Sequence, residues 1–318
     1  MKKLALLLLV PFLVFSSCKK DDDEPTDPGT KSNYEVLTEY LVASDKDLPA
    51  IITDWIIAPP AAEDVDAFLD GYDIIDIRAA EHFDAGHIEG AVNSPLADIL
   101  AAAANTTKPI LVVCYTGQSA AHATVALKLS GYTAKLLKWG MSGWNPDFST
   151  PWESNIGDAA VGDPNWVSVA EPTKVVYGEP TITATASDGP GLLEEMVQKM
   201  LDNGFKGVAN GDVLADPSVY YINNFWDLVD YEHYGSINGA FRVKPLSITD
   251  DLMKYVDPDK TAVTYCWTGQ TSSMVTAYLN VIGYNAVSLK FGTNGMIYSV
   301  LESHKFVTPT VSLPVVTE

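Results

Sequence analysis

Two segments of the chain share one hydrophobic pattern. Residues 109–113, PILVV, form an unbroken apolar run rich in β-branched side chains. A run without polar alternation suits a strand buried on both faces, as in a parallel sheet covered by helices. The mixed segment 119–130 that follows predicts a helix, closed by Gly131. Around these two elements, 70–78 (DGYDIIDIR) predicts a strand running into a loop, and 81–88 (EHFDAGHI) a short helix and turn. Residues 99–107 (ILAAAANTT) predict a helix and 133–137 (TAKLL) another strand. Strands alternating with helices predict an α/β domain with a mostly parallel sheet flanked by helices.

The pattern then repeats. CYTGQS at 114–119 returns as CWTGQT at 266–271, Gly131-Tyr132 as Gly283-Tyr284, and LKWGMSG at 137–143 as LKFGTNG at 289–295, all 152 positions apart. Upstream, GHIEGA at 86–91 returns as GSINGA at 235–240, 149 positions apart. A fixed separation over several motifs marks a duplicated domain. The first copy is assigned to 34–150 and the second to 191–308, with a Pro-, Gly- and Thr-rich linker and lead-in at 151–190 and a tail at 309–318. LLEEMVQKMLDNG (192–204) predicts the second copy's leading helix, ended by Gly204. Aligning the copies sets Asp76-Ile77-Arg78 against Asn223-Asn224-Phe225, and His87 against Ser236.

The chain's beginning carries a different signal. MKK, then LALLLLVPFLVF, then SSC give a positive, an apolar and a small-residue segment, the order of a secretory signal at 1–17. Val14 to Cys18 resembles a bacterial lipobox, which implies a lipid on Cys18 and a membrane anchor through it. Residues 18–33 are charged, with Pro and Gly, and are expected to be a flexible acidic tether. Acids directly after the lipid cysteine resemble the export signal of Bacteroidetes surface lipoproteins. An exported, envelope-anchored protein is expected, in the outer membrane by that resemblance, with the membrane face left open.

Composition narrows the function. At 318 residues and 47% hydrophobic, the chain can bury two cores. Its net charge of −21 excludes nucleic acid as a partner, since there is no basic footprint, and disfavours anionic substrates at long range. Of three cysteines, Cys18 goes to lipid, leaving Cys114 and Cys266 in the two quoted loops. No disulfide framework is needed at this size. His82, His122 and His233 form no metal-ligand spacing, and no metal or cofactor is expected.

Each remaining cysteine ends a predicted strand and precedes a helix. Function collects beyond the carboxyl ends of parallel strands. A glycine at 117 or 269 lets the backbone curl so that N–H groups point at the sulfur, and the helix start adds positive potential. Both favour a thiolate. The bland alternative is a small buried structural cysteine.

YDIIDIRAAEHFDAGHIEGAVNSPL (72–96), PILVVCYTGQSAAHA (109–123) and KWGMSGW (138–144) together resemble a rhodanese domain. The resemblance covers about 72–145 and, more weakly, 205–300. It implies two tandem rhodanese-like domains and a sulfurtransferase. A loop cysteine takes a sulfane sulfur as a persulfide and passes it to a thiol or cyanide. It implies Cys114 and Cys266 as nucleophiles. Their cradles would be Tyr115, Thr116, Gly117, Gln118 and Ser119 in one copy and Trp267, Thr268, Gly269, Gln270 and Thr271 in the other. Asp76, Arg78 and His87 are expected to be structural supports.

The chain departs from that pattern. Neither loop carries the Arg or Lys that helps many rhodaneses hold thiosulfate, so a persulfide or polysulfide donor is as plausible. The second copy lacks the Asp-x-Arg scaffold and the histidine, and is expected to be partly degenerate. Copy one has the better scaffold and copy two the family's usual catalytic position, so the turnover cysteine stays open. Tyr115 and Trp267 are either an apolar wall for a larger substrate or packing. Two rival classes remain: a rhodanese-like binding module without catalysis, and reversible pairing of the two cysteines. A cysteine phosphatase is excluded, since neither loop has its oxyanion-binding arginine.

Overall fold

The computed structural model describes residues 31–317. The expected signal segment, Cys18 and all but the end of the tether lie outside the described residues. No helix among those described is long and apolar enough to cross a membrane.

The first copy holds β1 (Ile56–Ile57), β2 (Asp73–Asp76), β3 (Val92–Asn93), β4 (Ile110–Val113) and β5 (Ala134–Leu137). They form one parallel sheet in the order β1-β5-β4-β2-β3. A short β6 (Trp166–Val167) in the linker pairs antiparallel with β9 (Ser236–Ile237). In the second copy β7 (Gly207–Val208), β8 (Tyr220–Asn224), β10 (Thr261–Tyr265) and β11 (Ala286–Leu289) form a parallel sheet in the order β7-β11-β10-β8. A single parallel bridge from Asn223 to Phe241 stands where copy one has β3. The apolar runs therefore became central parallel strands.

Four longer helices organise the interior: α1 (Asn33–Ala43), α2 (Gln118–Leu129), α3 (Gly189–Asp202) and α4 (Gln270–Val281). α3 starts three residues before its predicted position because the Asp188 carboxylate caps it, accepting the Gly191 N–H at 3.0 Å. α1 opens with a capping box between Ser32 and Glu35, so the expected tether ends in a helix start. α2 packs on α4 and α1 on α3.

These contacts merge the inner faces of both sheets. Ile75, Val112 and Leu136 of copy one share one cluster with Tyr221, Ala262 and Ala286 of copy two, through the four helices. Alternate strand residues face outward into separate clusters, Ile74, Leu111 and Val113 in one copy and Ile222, Val263 and Leu289 in the other. Each fully buried aliphatic side chain contributes roughly 1.5–3 kcal/mol, so a shared core holds the two copies as one body.

Linker and tail are structural parts rather than spacers. Trp152 is fully buried, stacked on Phe306 at 5.1 Å and edge-on to Trp139 and Phe291. The tail returns to copy one, where Leu313 joins the core and Val316 exchanges backbone hydrogen bonds with His87. At the other end α1 leans on copy two, with Tyr34 edge-on to Tyr284 at 6.4 Å.

Asp47 ties the copies together electrostatically. Its carboxylate accepts the Ser247 hydroxyl at 2.8 Å and the Ile248 and Thr249 N–H groups at 3.0 Å. Burial pushes its pKa up, but the bonds from Thr249, Ile248 and Ser247 outweigh this and the net shift is down. A depressed carboxyl adds stability above its unfolded value near 3.9, and this is lost as pH falls through the folded value. Asp47→Ala should therefore cost about 1–2 kcal/mol at pH 7 in urea unfolding. The gap from wild type should narrow as pH falls below the ordinary carboxylate range and through the depressed folded value; a gap that does not narrow would refute the charge's role.

Candidate active site

β4 delivers Cys114 to its carboxyl end, and the chain turns at once into α2. Gly117 takes the left-handed conformation at φ 79°. That turn aims two N–H groups at sulfur: Cys114 Sγ accepts from Gly117 at 3.1 Å and from Ala120 at 3.4 Å. A second turn supports the loop from behind. Met141 donates its N–H to the Cys114 carbonyl at 2.8 Å, and Ser142 to that of Tyr115 at 3.1 Å. A β-carbon on Gly140 would lie 2.2 Å from the Cys114 carbonyl oxygen, so only glycine fits there.

Copy two repeats the plan. Gly269 has φ 78°. Cys266 Sγ accepts the Ser272 N–H at 3.3 Å and lies 3.6 Å from the Ser272 hydroxyl. Thr293 donates its N–H to the Cys266 carbonyl at 3.0 Å, and Asn294 to that of Trp267 at 3.1 Å. Beneath Cys266 the hydroxyls of Ser272, Ser273 and Ser288 are hydrogen-bonded together. Both thiols are free and nearly enclosed, with Cys114 3% exposed and Cys266 2%.

Asp76, Arg78 and His87 of copy one are all buried and make fixed contacts. The Arg78 guanidinium holds both oxygens of Asp76, the closest at 2.7 Å, and donates to the Gly86 carbonyl at 2.7 Å. His87 bonds the Phe83 carbonyl through Nδ1 at 2.9 Å and stacks on the Phe83 ring at 3.7 Å. These groups brace backbone and do not touch the sulfur.

Copy two corrects the sequence alignment by one residue. Asp76 pairs with Val113 across the ladder, and Asn224 pairs with Tyr265. Asn224 is therefore the counterpart of Asp76, and Trp226 that of Arg78. The geometry agrees: Asp76 Oδ1 accepts the Arg78 N–H at 3.0 Å, and Asn224 Oδ1 accepts the Trp226 N–H at 3.0 Å. The Asn224 amide then donates to the Tyr265 hydroxyl at 2.8 Å, which also accepts the Ile237 N–H at 3.2 Å. Burial raises the Tyr265 pKa above its ordinary range and keeps the phenol neutral. The second copy is thus rebuilt with neutral groups in place of an ion pair.

The aromatic neighbours are packed. Tyr115 lies against His82 at 5.4 Å and under the Arg78 guanidinium at 4.9 Å. Trp267 sits between Trp226 at 4.2 Å and His304 at 4.9 Å. Both rings are half-buried, as are Thr116, Ser119 and Thr271, while Thr268 is buried. His122 lies in the domain interface, fully buried and without a hydrogen-bond partner on either nitrogen. Burial, with a smaller effect from Lys206, brings its pKa down to about 3, so it stays neutral.

Two loop residues do something their sequence position did not announce. Gln118 and Gln270, expected to cradle substrate beside their own cysteines, send their side chains across the interface. Gln270 Nε2 donates to the Thr116 carbonyl at 3.1 Å, and Gln118 Oε1 accepts the Phe291 N–H at 2.8 Å. Their recurrence at the same place in two otherwise uncharged loops was the only sequence signal.

The thiosulfate sulfurtransferase GlpE of Pseudomonas putida (strain GB-1) is 42% identical over 67 residues, 20% of this chain. The match spans 60% of that relative, less than two thirds of its length. Among solved structures, a thiosulfate sulfurtransferase from Pseudomonas aeruginosa is 16% identical over 87% of this chain and 49% of its own, with a TM-score of 0.29. A rhodanese-related protein from Thermoplasma volcanium is 22% identical over 28% of this chain and 89% of its own, with a TM-score of 0.25. The family model described as a rhodanese-like domain matches residues 61–147 and 221–296, each segment enclosing one cysteine loop. Those two segments make up just over half of the sequence, and the chain accordingly belongs to the rhodanese-like domain family, with the domain present twice.

Proposed function

We propose that this protein is a sulfurtransferase, anchored in the cell envelope by lipid on Cys18, that carries a sulfane sulfur on a loop cysteine. The observation that carries the reading is Cys114 Sγ accepting two backbone N–H groups at a strand-to-helix turn. A thiolate in that position attacks the terminal sulfur of a persulfide or polysulfide. The donor's S–S bond breaks, its shortened thiolate leaves with the electron pair, and the cysteine becomes a persulfide. A thiol or cyanide then attacks the outer sulfur, takes it, and returns the cysteine thiolate. Backbone donors hold negative charge on sulfur without a metal or cofactor.

The neutral loops favour a persulfide or polysulfide over thiosulfate. No lysine or arginine stands in either loop to hold the sulfonate oxygens of thiosulfate, a head group that a persulfide or polysulfide lacks. The buried thiols favour a slim linear donor. A second reading, a binding module that carries no sulfur, draws on the same near-complete burial of both cysteines.

Intact-mass measurement separates the two. Wild type, Cys114→Ser and Cys266→Ser are exposed to polysulfide and, separately, to thiosulfate, and then to cyanide. The expected result is added sulfur from polysulfide that cyanide removes as thiocyanate, lost in the variant whose cysteine carries it. Thiosulfate loading as fast as polysulfide would overturn the donor assignment. No cyanide-labile sulfur with either donor would leave the binding module.

A further inference from the structure

We propose that Gln270, from copy two, is a positioning residue for the Cys114 site of copy one; this rests on the sulfurtransferase reading above. The Gln270 amide reaches the Thr116 carbonyl at 3.1 Å. That carbonyl and the Gly117 N–H belong to one peptide group. The peptide is planar, so fixing its oxygen fixes the direction of its hydrogen. The hydrogen points at Cys114 Sγ, 3.1 Å from the Gly117 nitrogen. A donor on the oxygen side also polarises the N–H on the other side, strengthening its hold on a sulfur anion.

The surroundings show a built contact. Gln270 is 1% exposed, so its amide has no water to turn to. A β-carbon on Gly117 would lie 2.0 Å from Gln270 Nε2, so that residue's lack of a side chain makes room for the other copy's amide. The contact is also asymmetric. Gln118 reaches back to the Phe291 N–H, in the turn behind Cys266, and not to the matching peptide of loop two. Copy two therefore bonds the sulfur-binding peptide of copy one directly, while copy one reaches the cradle of copy two through the turn behind it. The two domains differ in role although their loops are nearly identical in sequence.

The test uses the whole protein with one loop cysteine at a time. In the Cys266→Ser background, Gln270→Met keeps length and volume and removes the donor. Persulfide formation on Cys114 from polysulfide should slow about tenfold, with the half-saturating donor concentration unchanged. In the Cys114→Ser background the same change removes from loop two the 3.4 Å contact from the Thr268 hydroxyl to Gln270 Oε1, and should slow Cys266 loading by no more than about threefold. Hydrogen exchange should be about fivefold faster in 114–120 and change less in 266–272, where Gln270 Oε1 loses the Thr268 hydroxyl.

Equal slowing of both cysteines, or an unaffected Cys114, would overturn the assignment and leave Gln270 as packing. If the wild type takes no sulfur, the sulfurtransferase reading fails separately, and exchange alone decides. Exchange accelerated more in 114–120 than in 266–272 would uphold the hold on the loop, and no change in 114–120 would overturn it.

Discussion

Gly140→Ala is expected to slow sulfur loading at Cys114 about a hundredfold while leaving Cys266 active. Gly140 has φ 60° and ψ −148°, a conformation that is essentially reserved for glycine. Its β-carbon would stand 2.2 Å from the Cys114 carbonyl oxygen, 2.7 Å from the Tyr115 carbonyl carbon and 2.8 Å from the Thr116 nitrogen. All three are backbone atoms, so no side chain can swing away and the loop itself must move. That loop is tied to its neighbours by the Met141 and Ser142 N–H groups, and those bonds would be lost in moving it. The strain should cost roughly 3 kcal/mol in urea unfolding. A displacement of about 1 Å at the sulfur should slow loading about a hundredfold. Gly131→Ala is the control: φ is 93° there too, but open space surrounds the β-carbon, so about 1 kcal/mol should be lost and loading should persist. Normal loading in Gly140→Ala would show that the second turn does not shape the cysteine loop.

The second large effect is predicted at the buried ion pair. Asp76 and Arg78 each have side chains 1% exposed, and among the described residues the carboxylate is the only anion holding the guanidinium. Asp76→Asn leaves that cation buried without a counter-charge, which should cost about 3–5 kcal/mol. Copy two has already solved the same problem with Asn224, Trp226 and Tyr265. Importing that set as Asp76→Asn, Arg78→Trp and Val113→Tyr should recover most of the loss, because no buried charge remains and the amide again has a phenol to donate to. Urea midpoints of the single and triple variants decide the matter. A triple variant no more stable than the single one would mean that the neutral arrangement depends on surroundings that only copy two possesses.

The two predictions concern features of different legibility. Gly140 stands in a repeated KWG/KFG motif, so a constrained backbone could be expected from the sequence. The neutral replacement of the ion pair could not be seen, because the alignment was one residue off. The copies differ in length between β2 and the GHI motif and again beyond it, and a string comparison cannot place such a change within a loop. Ladder pairing can: Asp76 stands opposite Val113 and Asn224 opposite Tyr265, and the side chain at each position is then known.

By itself the sequence determined the duplication, the α/β class, the buried parallel strands and the placing of both cysteines at strand-to-helix turns. Each of these is carried by residues close together in the chain: an apolar run, a glycine, a helical repeat. Only the tertiary structure decided what crosses between the copies. Gln270 meets Thr116 from 154 residues away, Asp47 meets Ser247 from 200, and Trp144 meets Pro314 from 170. Such pairs leave no local periodicity, since a glutamine in a loop satisfies the same short-range preferences whichever way its side chain turns. Its direction is chosen when two sheets close on one layer of helices and a buried amide must find partners or lose its hydrogen bonds. The linker and tail follow the same physics. Their sequences are irregular, yet Trp152 and Leu313 are buried because the assembled domains leave apolar surface that only those segments can cover.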